Sequence, residues 1–335
     1  MNVIAKIKKE WFLVGMVIAI GLAILTPNIG KTGGVLELNY VTELGIAIVF
    51  FLHGLGLSPK AIKEGVANWK MHIYIQLATF AVYPLLWVLF GNTMLTYMPS
   101  ALAFGFCYLF VLPSTISSSV TMTSVGKGNV PGAIFNASLS SILGVFITPA
   151  LIQLFMGLHG AHIDLMASVI SIAKLLLVPM ILGQLLRPYL VDWATRNKKI
   201  VGKVDKYVII LIVYNAFCDS VNNGIWSQFS IGLLATSIIA CFVVLMVMVH
   251  LIQWGARRCH FALPDEVAAV FCGTKKTLAA GIPMAKVIFG ADPRLGMLLL
   301  PIMLYHPMQI FYCAMLANRY AAKAEQNKGD VVTQS

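Results

Sequence analysis

The stretch FCGTKKTLAAGIPM at residues 271–284 decides the fold class, because two adjacent lysines, two glycines and a proline interrupt an apolar segment. The segment begins near Pro264, so in a helix that rises ~1.5 Å per residue Lys275 and Lys276 would lie roughly 18 Å into a bilayer. A lysine at that depth costs at least ~2.5 kcal/mol and indicates a functional position by default. The stretch therefore predicts a transmembrane helix that is broken at a functional centre.

The whole chain has the composition of a membrane protein. Its 335 residues are 59% hydrophobic and 11% charged, whereas a globular domain is about half apolar and about a quarter charged. Apolar runs such as 11–26 and 101–112 approach the roughly 20 residues that span a bilayer as a helix. No small-residue cleavage pattern follows Lys6, Lys8 and Lys9, so we interpret the first run as a span and not as a secretory signal. We expect an all-α polytopic membrane protein.

Breaks at charged and Gly/Pro-rich points predict ten transmembrane helices. Their expected bounds are near 11–26, 40–58, 69–90, 101–125, 131–157, 163–190, 203–220, 228–256, 264–290 and 295–320. Alternating the loops places about 18 of the 24 basic residues on one side, Lys206 among them, and Lys31 and Arg294 on the other. By the positive-inside rule this asymmetry predicts a multi-pass protein of the inner membrane with both termini in the cytoplasm. The loops explain the formal charge of +11, so we expect membrane lipid as a partner and no nucleic acid.

The two halves of the chain have matching organisation. Residues 1–158 and 159–322 each contain five expected spans, and an odd number of spans inverts the second repeat relative to the first. The fourth span of each repeat is interrupted, in the first by LPSTISSS at 112–119 and in the second by the stretch that contains both lysines. Interruptions at corresponding positions are the best sequence indicator of a carrier's binding site. Residues 323–335 are expected to form a disordered cytoplasmic tail.

The interrupted spans supply the candidate binding residues. Unwound backbone in hydrocarbon costs several kcal/mol per unsatisfied group, so the two breaks should meet inside the protein unless they are ordinary proline kinks. The predicted substrate- or ion-binding residues are Lys275, Lys276, Thr274, Thr277, Ser117, Ser118, Ser119, Gln76 and Asn136. Either lysine could instead cap the carbonyls of a broken helix, and each polar residue taken alone could serve interhelical packing. The chain has no phosphate loop, His-Glu metal helix or nucleophile elbow, so we expect no enzyme.

Several separated motifs resemble one known family. They are FFLHGLGLS at 50–58, NWKMH at 68–72 with Gln76, GKGN at 126–129, IFNAS at 134–138 and the stretch 271–284. Across residues 11–320 the chain resembles the bile acid:sodium symporter family, in the branch of solute carrier 10 member 7 and the bacterial YfeH-like symporters. The resemblance implies a panel domain of spans 1, 2, 6 and 7 and a core domain of spans 3, 4, 5, 8, 9 and 10, in which broken helices 4 and 9 cross. It also implies sodium-coupled uptake of organic anions, with Gln76 and the serine run near the sodium ligands.

The ninth span departs from the family pattern. Where bile acid transporters have a glutamate and a glutamine around a glycine, this chain has Phe271 and Lys275 around Gly273. Lys275 or Lys276 could then replace bound sodium and pair with helix C-terminal carbonyls. We predict secondary active transport of a small organic anion by alternating access at the crossing, without an organic cofactor and with a lysine or a sodium ion as the cation at the crossing. The alternatives are a sodium-coupled symporter of the bile-acid type and a non-transporting regulator of calcium homeostasis, and a homodimer is left open.

Overall fold

The computed structural model describes residues 11–57, 59–157, 165–224, 230–290 and 292–333. These residues are mostly helical and contain no strand. Lys6, Lys8 and Lys9, which support the predicted orientation of the first span, lie outside the described residues. The fold class is therefore all-α, as the sequence predicts.

The helices follow one another with short connections. In chain order they are α1 Trp11–Leu25, α2 Leu38–Gly56, α3 Trp69–Tyr97, α4a Ser100–Val111, α4b Ser117–Val125, α5 Val130–Gly157, α6 Leu165–Arg196, α7 Lys198–Asn222, α8 Ile231–Arg258, α9a Leu263–Thr274, α9b Gly281–Phe289 and α10 Leu295–Thr333, with short unlabelled helices at Pro27–Gly30 and Pro59–Gly65. Helices α3 and α6 each contain a π-helical turn, at Ala78–Val82 and Ala173–Leu177.

Six of the described helices are long and apolar enough to cross a membrane. They are α2, α3, α5, α6, α8 and the part of α10 from Leu295 to Gln326, while α1 and α4a contain shorter apolar stretches. Large apolar side chains point outward from the bundle, among them Ile231 at 87% exposure and Phe311 at 70%. Such surfaces are stable when lipid covers them. The chain is a polytopic membrane protein, and its division into two inverted five-helix repeats stays a prediction.

Two groups of helices pack within themselves. In the panel group, α2 packs along α6, and α7 packs against α1 and α2. In the core group, α4a packs between α3 and α10, and α9a packs against α8 and α4b. The two ends of the bundle have different contacts. At one end the Asn68 and Asn129 amides donate to Asp265; we call it the basic end, because most of the basic loop residues are expected there. At the other end Thr32 donates to Asp219.

Several helix bounds differ from the sequence-based expectations, and two of the differences matter for the site and the tail. Helix α7 begins at Lys198, five residues before the expected start. Lys206, which the charge asymmetry counts with the loop residues, is a helical residue that lines a cavity. Helix α10 continues to Thr333, so most of the segment expected as a disordered tail is helical. The interruptions themselves lie at residues 112–116 and 275–280, inside the two stretches that the sequence indicates.

Candidate binding site at the helix crossing

Backbone and serine hydrogen bonds join the two interruptions. The Thr277 N–H donates to the Pro113 carbonyl at 3.0 Å, across the two breaks. The Ser114 hydroxyl donates to the Cys272 carbonyl at 2.6 Å. The Ser119 hydroxyl donates to the Phe271 carbonyl at 3.0 Å. Carbonyls in the last turn of a helix have no hydrogen-bond partners within that helix. In α9a, serine hydroxyls at and just after the first break therefore supply the donors.

Lys276 lies at the centre of this crossing and is fully buried. Its Nζ donates to the carbonyls of Thr79 at 2.9 Å, Phe110 at 2.9 Å and Leu112 at 2.7 Å. The ammonium also lies 4.1 Å from the centre of the Tyr83 ring, in cation–π contact. All three N–H groups of the ammonium are therefore used.

The local sequence explains why these three carbonyls are available. In the π-helical turn of α3 the Tyr83 N–H donates to the Ala78 carbonyl. The next residue is Pro84, which has no N–H to donate to the Thr79 carbonyl, so that carbonyl stays available. At the end of α4a the helix stops before Pro113, which leaves its last carbonyls without helical partners. These carbonyls form the negative end of the α4a helix dipole, which favours a cation.

The Lys276 backbone is held by the amide of one core residue. Gln309 on α10 accepts a hydrogen bond from the Lys276 N–H at 2.9 Å and donates to the Lys276 carbonyl at 2.8 Å. The same amide nitrogen donates to His306 Nδ1 at 2.9 Å. Since His306 lines a cavity described below, Gln309 connects that cavity to the lysine by hydrogen bonds.

Lys275 is also fully buried and has fewer partners. Its Nζ donates to the Ser118 carbonyl at 2.8 Å and lies 5.8 Å from the centre of the Phe271 ring. The two lysines point to different sides of the unwound segment. The structure therefore gives both lysines carbonyl partners, and neither of them lines the cavity beside the crossing.

Thr274 ends α9a and is fixed by two tyrosines. Its hydroxyl donates to Val270 within the helix, while its carbonyl oxygen lies 2.6 Å from the Tyr83 hydroxyl and 3.1 Å from the Tyr305 hydroxyl. The two tyrosine hydroxyls are 2.7 Å apart and share a hydrogen bond. Thr274 is thus a structural residue of the crossing, buried and separate from the cavity.

A cavity of about 300 Å³ lies between the panel group and the crossing. From the core side, the predicted residues Ser117, Ser118 and Thr277 line it. The remaining lining includes Phe12, Phe50, His53, Thr121, Ser141, Asp205, Lys206 and His306. A second cavity of about 590 Å³ shares Ser117 and three of the panel residues with the first, and it extends toward the basic end through Arg187 and Thr195. The crossing is therefore reached from the basic end of the bundle.

Gln76 and Asn136 lie in another cluster. The Gln76 amide donates to both the backbone and side-chain oxygens of Asn136 at 3.2 Å, and the Asn136 amide donates to Gly132 and contacts His72 Nδ1 at 2.8 Å. Within the described part of the chain, neither residue shares a hydrogen bond with the crossing. The structure thus brings seven of the nine predicted residues to the crossing and leaves these two between α3 and α5.

Sequence reasoning missed the panel side of the site. The sequence analysis includes His53 only as part of the FFLHGLGLS motif and Lys206 only as one of the basic loop residues. It does not name Asp205 as a candidate binding residue. The signal was available, because a carboxylate inside an expected span is a functional hypothesis by default. It is obscured because the charge asymmetry counts Lys206, the neighbour of Asp205, with the loop residues.

Comparison with known proteins identifies the family. The model of the SBF-like CPA transporter family matches residues 10–322. The chain belongs to this family. The resemblance to sodium symporters of the bile-acid type is confirmed, and membership of a transporter family agrees with the interpretation that the chain is not an enzyme.

Relatives of this SBF-like transporter cover nearly the whole chain. A Pseudomonas aeruginosa protein whose name states no function is 40% identical over 314 residues, which is 94% of this chain and 93% of that protein. The Escherichia coli protein YfeH, whose name includes the word symporter, is 42% identical over 286 residues, covering 85% and 86%. The sodium/bile acid cotransporter 7 of Rattus norvegicus is 33% identical over 319 residues, covering 94% of each chain. These names support a transporter.

Proposed function

We propose that this SBF-like transporter carries a small organic anion across the inner membrane by secondary active transport, with the Lys276 ammonium in the place of a coupling sodium ion. The observation that supports this most is the set of three backbone carbonyls around Lys276 Nζ. Hard cations prefer oxygen ligands, and carbonyl oxygens serve this purpose in ion pathways. Here the protein supplies the cation itself, at the negative end of α4a.

The cavity supports an anion of modest size. Lys206 supplies a positive charge, and the hydroxyls of Ser117 and Thr277 supply hydrogen bonds. Phe12 and Phe50 provide apolar walls. A volume of about 300 Å³ is at the lower end of small-molecule sites. We infer a small carboxylate with an apolar or aromatic body, and not a molecule the size of a steroid.

The position of the cavity supports alternating access. The cavity lies between α1, α2 and α7 on one side and the crossing and α10 on the other. In carriers with crossed, broken helices, one group of helices moves against the other around a fixed site. A rigid core held together by the crossing bonds would carry the site as one body.

Sodium-coupled symport is the second candidate. Two buried oxygens, Gln76 Oε1 and Ser118 Oγ, have no hydrogen-bond partner within the described residues, and a bound cation would satisfy such oxygens. The name of the Rattus norvegicus relative includes sodium as well. The two candidates differ in one measurable property, which is whether transport depends on sodium.

The experiment is uptake of labelled benzoate and labelled taurocholate into proteoliposomes, in sodium or in choline at equal ionic strength. We expect benzoate uptake of equal rate in both media and no taurocholate uptake. Lys206→Gln should lower benzoate uptake by about tenfold, the loss of about 1.4 kcal/mol of a charge-assisted contact. Lys323→Gln, an exposed change on α10, is the matched control and should leave the rate unchanged. Uptake that requires sodium would favour the second candidate, and equal loss in both lysine variants would exclude the assigned role of Lys206.

A further inference from the structure

One carboxylate lies in the cavity that is proposed for an anion. Asp205 on α7 lines both the 300 Å³ and the 590 Å³ cavities, and it is the one carboxylate that either cavity has among the described residues. One of its oxygens accepts a hydrogen bond from the N–H of the next residue, Lys206, at 2.8 Å. No basic side chain of the described chain lies within ion-pair distance of it.

The charged and titratable groups around Asp205 come from three neighbouring helices and its own. Those that line the same cavities are His53 of α2, Arg187 of α6, His306 of α10 and Lys206 of α7, whereas α1 and α4b contribute uncharged side chains. Of these cations, Lys206 lies nearest along the chain and shares both cavities with Asp205, with its Nζ 5.6 Å from the Trp11 ring centre. Arg187 donates to the Leu55 carbonyl at 3.1 Å.

The two histidines differ in their freedom to take part. His306 Nδ1 accepts a hydrogen bond from the Gln309 amide, which holds this imidazole against the crossing. His53 has an edge contact with Phe50, with ring centres 5.5 Å apart, and forms no hydrogen bond within the described residues. His53 is therefore the group that can exchange a proton with Asp205 through water in the shared cavities.

An ionised Asp205 and an anion in the same cavity repel each other. A proton on the carboxylate removes this repulsion, so anion binding favours proton binding there. By thermodynamic linkage the proton then favours the anion by the same factor. Two ligands that strengthen each other in one cavity travel in the same direction, whereas exchange in opposite directions needs ligands that compete. The geometry therefore favours symport over antiport.

We infer that Asp205, with His53 across the cavity, is the proton-binding site that couples anion transport to proton symport. This inference rests on the proposed function and supplies the driving ion that the Lys276 ammonium leaves unassigned. A proton from water binds a carboxylate oxygen of Asp205 when the anion enters, and it leaves to water with the anion on the other side. One negative and one positive charge cross together, so the step carries no net charge.

The test is a pH titration of the purified full chain in detergent, followed by infrared difference spectroscopy of the protonated-carboxyl band. The wild type should show a protonated-carboxyl band that disappears as the pH is raised, and Asp205→Asn should lack it. Benzoate should move the midpoint to higher pH by about one pH unit or more, as expected for two like charges that share one cavity at an effective dielectric constant of about 20. Asp192→Asn on the exposed face of α6 is the matched control and should keep the band.

The result that overturns the inference is a wild-type band that Asp205→Asn does not change. A midpoint that benzoate leaves unmoved, although benzoate raises the melting temperature, overturns the coupling as well. Failure of the proposed function has a different signature, because no anion would then enter proteoliposomes while the Asp205 band still titrates. In vesicles, an inward proton gradient should accelerate benzoate uptake by the wild type and by the Asp192→Asn control, and it should not accelerate uptake by Asp205→Asn.

Discussion

At the scale of single residues, prolines decide where the buried lysine finds its partners. Pro84 leaves the Thr79 carbonyl without a helical donor, and Pro113 ends α4a. Lys276 then donates to the carbonyls that these prolines expose. A buried unpaired charge would cost several kcal/mol, so the lysine and the two interrupted helices stabilise each other.

Ser114→Ala tests the serine bonds that join the two breaks. The change leaves the Cys272 carbonyl, which accepts from Ser114 at 2.6 Å, buried and unsatisfied. The expected loss of unfolding free energy is about 1–3 kcal/mol, measured as a lower melting temperature in detergent. Ser138→Ala, which removes a bond to Ile134 within the same helix, is the control with a smaller expected effect. Equal effects of the two changes would contradict a special role for the crossing bond.

The depth of Lys275 and Lys276 was predictable, because the sequence places them far from any charged loop. Their partners were not, because they depend on a π-helical turn in α3 that no local signal in 78–82 indicates. The serine run was correctly placed at the crossing. Gln76 lies against Asn136 and not at the crossing. This was not predictable, because a motif position does not tell toward which helix a side chain points.

At the scale of helices, two glycines allow α2 and α6 to approach at backbone distance. A Cβ at Gly54 would lie 2.0 Å from the Met180 carbonyl oxygen, and a Cβ at Gly183 would lie 2.1 Å from that of Phe51. Neighbouring membrane helices commonly use small residues for such contacts. The panel group is therefore held together along its length by close packing of one helix pair.

Gly183→Ala should destabilise the panel group. The new methyl group meets backbone that cannot yield, and overpacking of this kind typically costs about 1–3 kcal/mol. Gly21→Ala on α1 is the matched control, since a Cβ there meets nothing within 4 Å, and Ala should stabilise that helix slightly. Melting temperatures measure both. A Gly183→Ala protein as stable as Gly21→Ala would show that the helix pair is not packed this closely.

The helices themselves were largely predictable, because apolar runs separated by charged loops are a strong signal in lipid. Where the prediction went wrong, at the start of α7 and the end of α10, the helices continue through polar sequence. The change from apolar to polar residues shows where a helix leaves the membrane. It does not show where the helix ends, because the backbone can stay helical in water.

At the scale of the whole molecule, the cavities make the crossing accessible from the basic end. The larger cavity includes Arg187, Thr195 and Gly202, which lie near the connection between α6 and α7. If that end faces the cytoplasm, as the distribution of basic residues predicts, the structure represents an inward-open state.

Ser117→Cys tests this orientation. Ser117 is exposed and lines both cavities, so in a protein whose exposed Cys259 is replaced by serine a thiol there should react with a membrane-impermeant reagent in inside-out vesicles. Val35→Cys, at a residue 83% exposed near the opposite end, should react in right-side-out vesicles. The reverse pattern would contradict cytoplasmic termini.

The central claim is that Lys276 replaces a bound sodium ion. The most direct measurement is the melting temperature in detergent, with sodium titrated against choline at constant ionic strength, for the wild type, Lys276→Ala and the control Lys275→Ala. A ligand that binds only the folded state stabilises it by about 1.4 kcal/mol at ten times its Kd. We predict no sodium-specific rise in the wild type or in Lys275→Ala and a saturating rise in Lys276→Ala, whose three carbonyls are left free for a cation. A sodium-specific rise in the wild type would contradict the account.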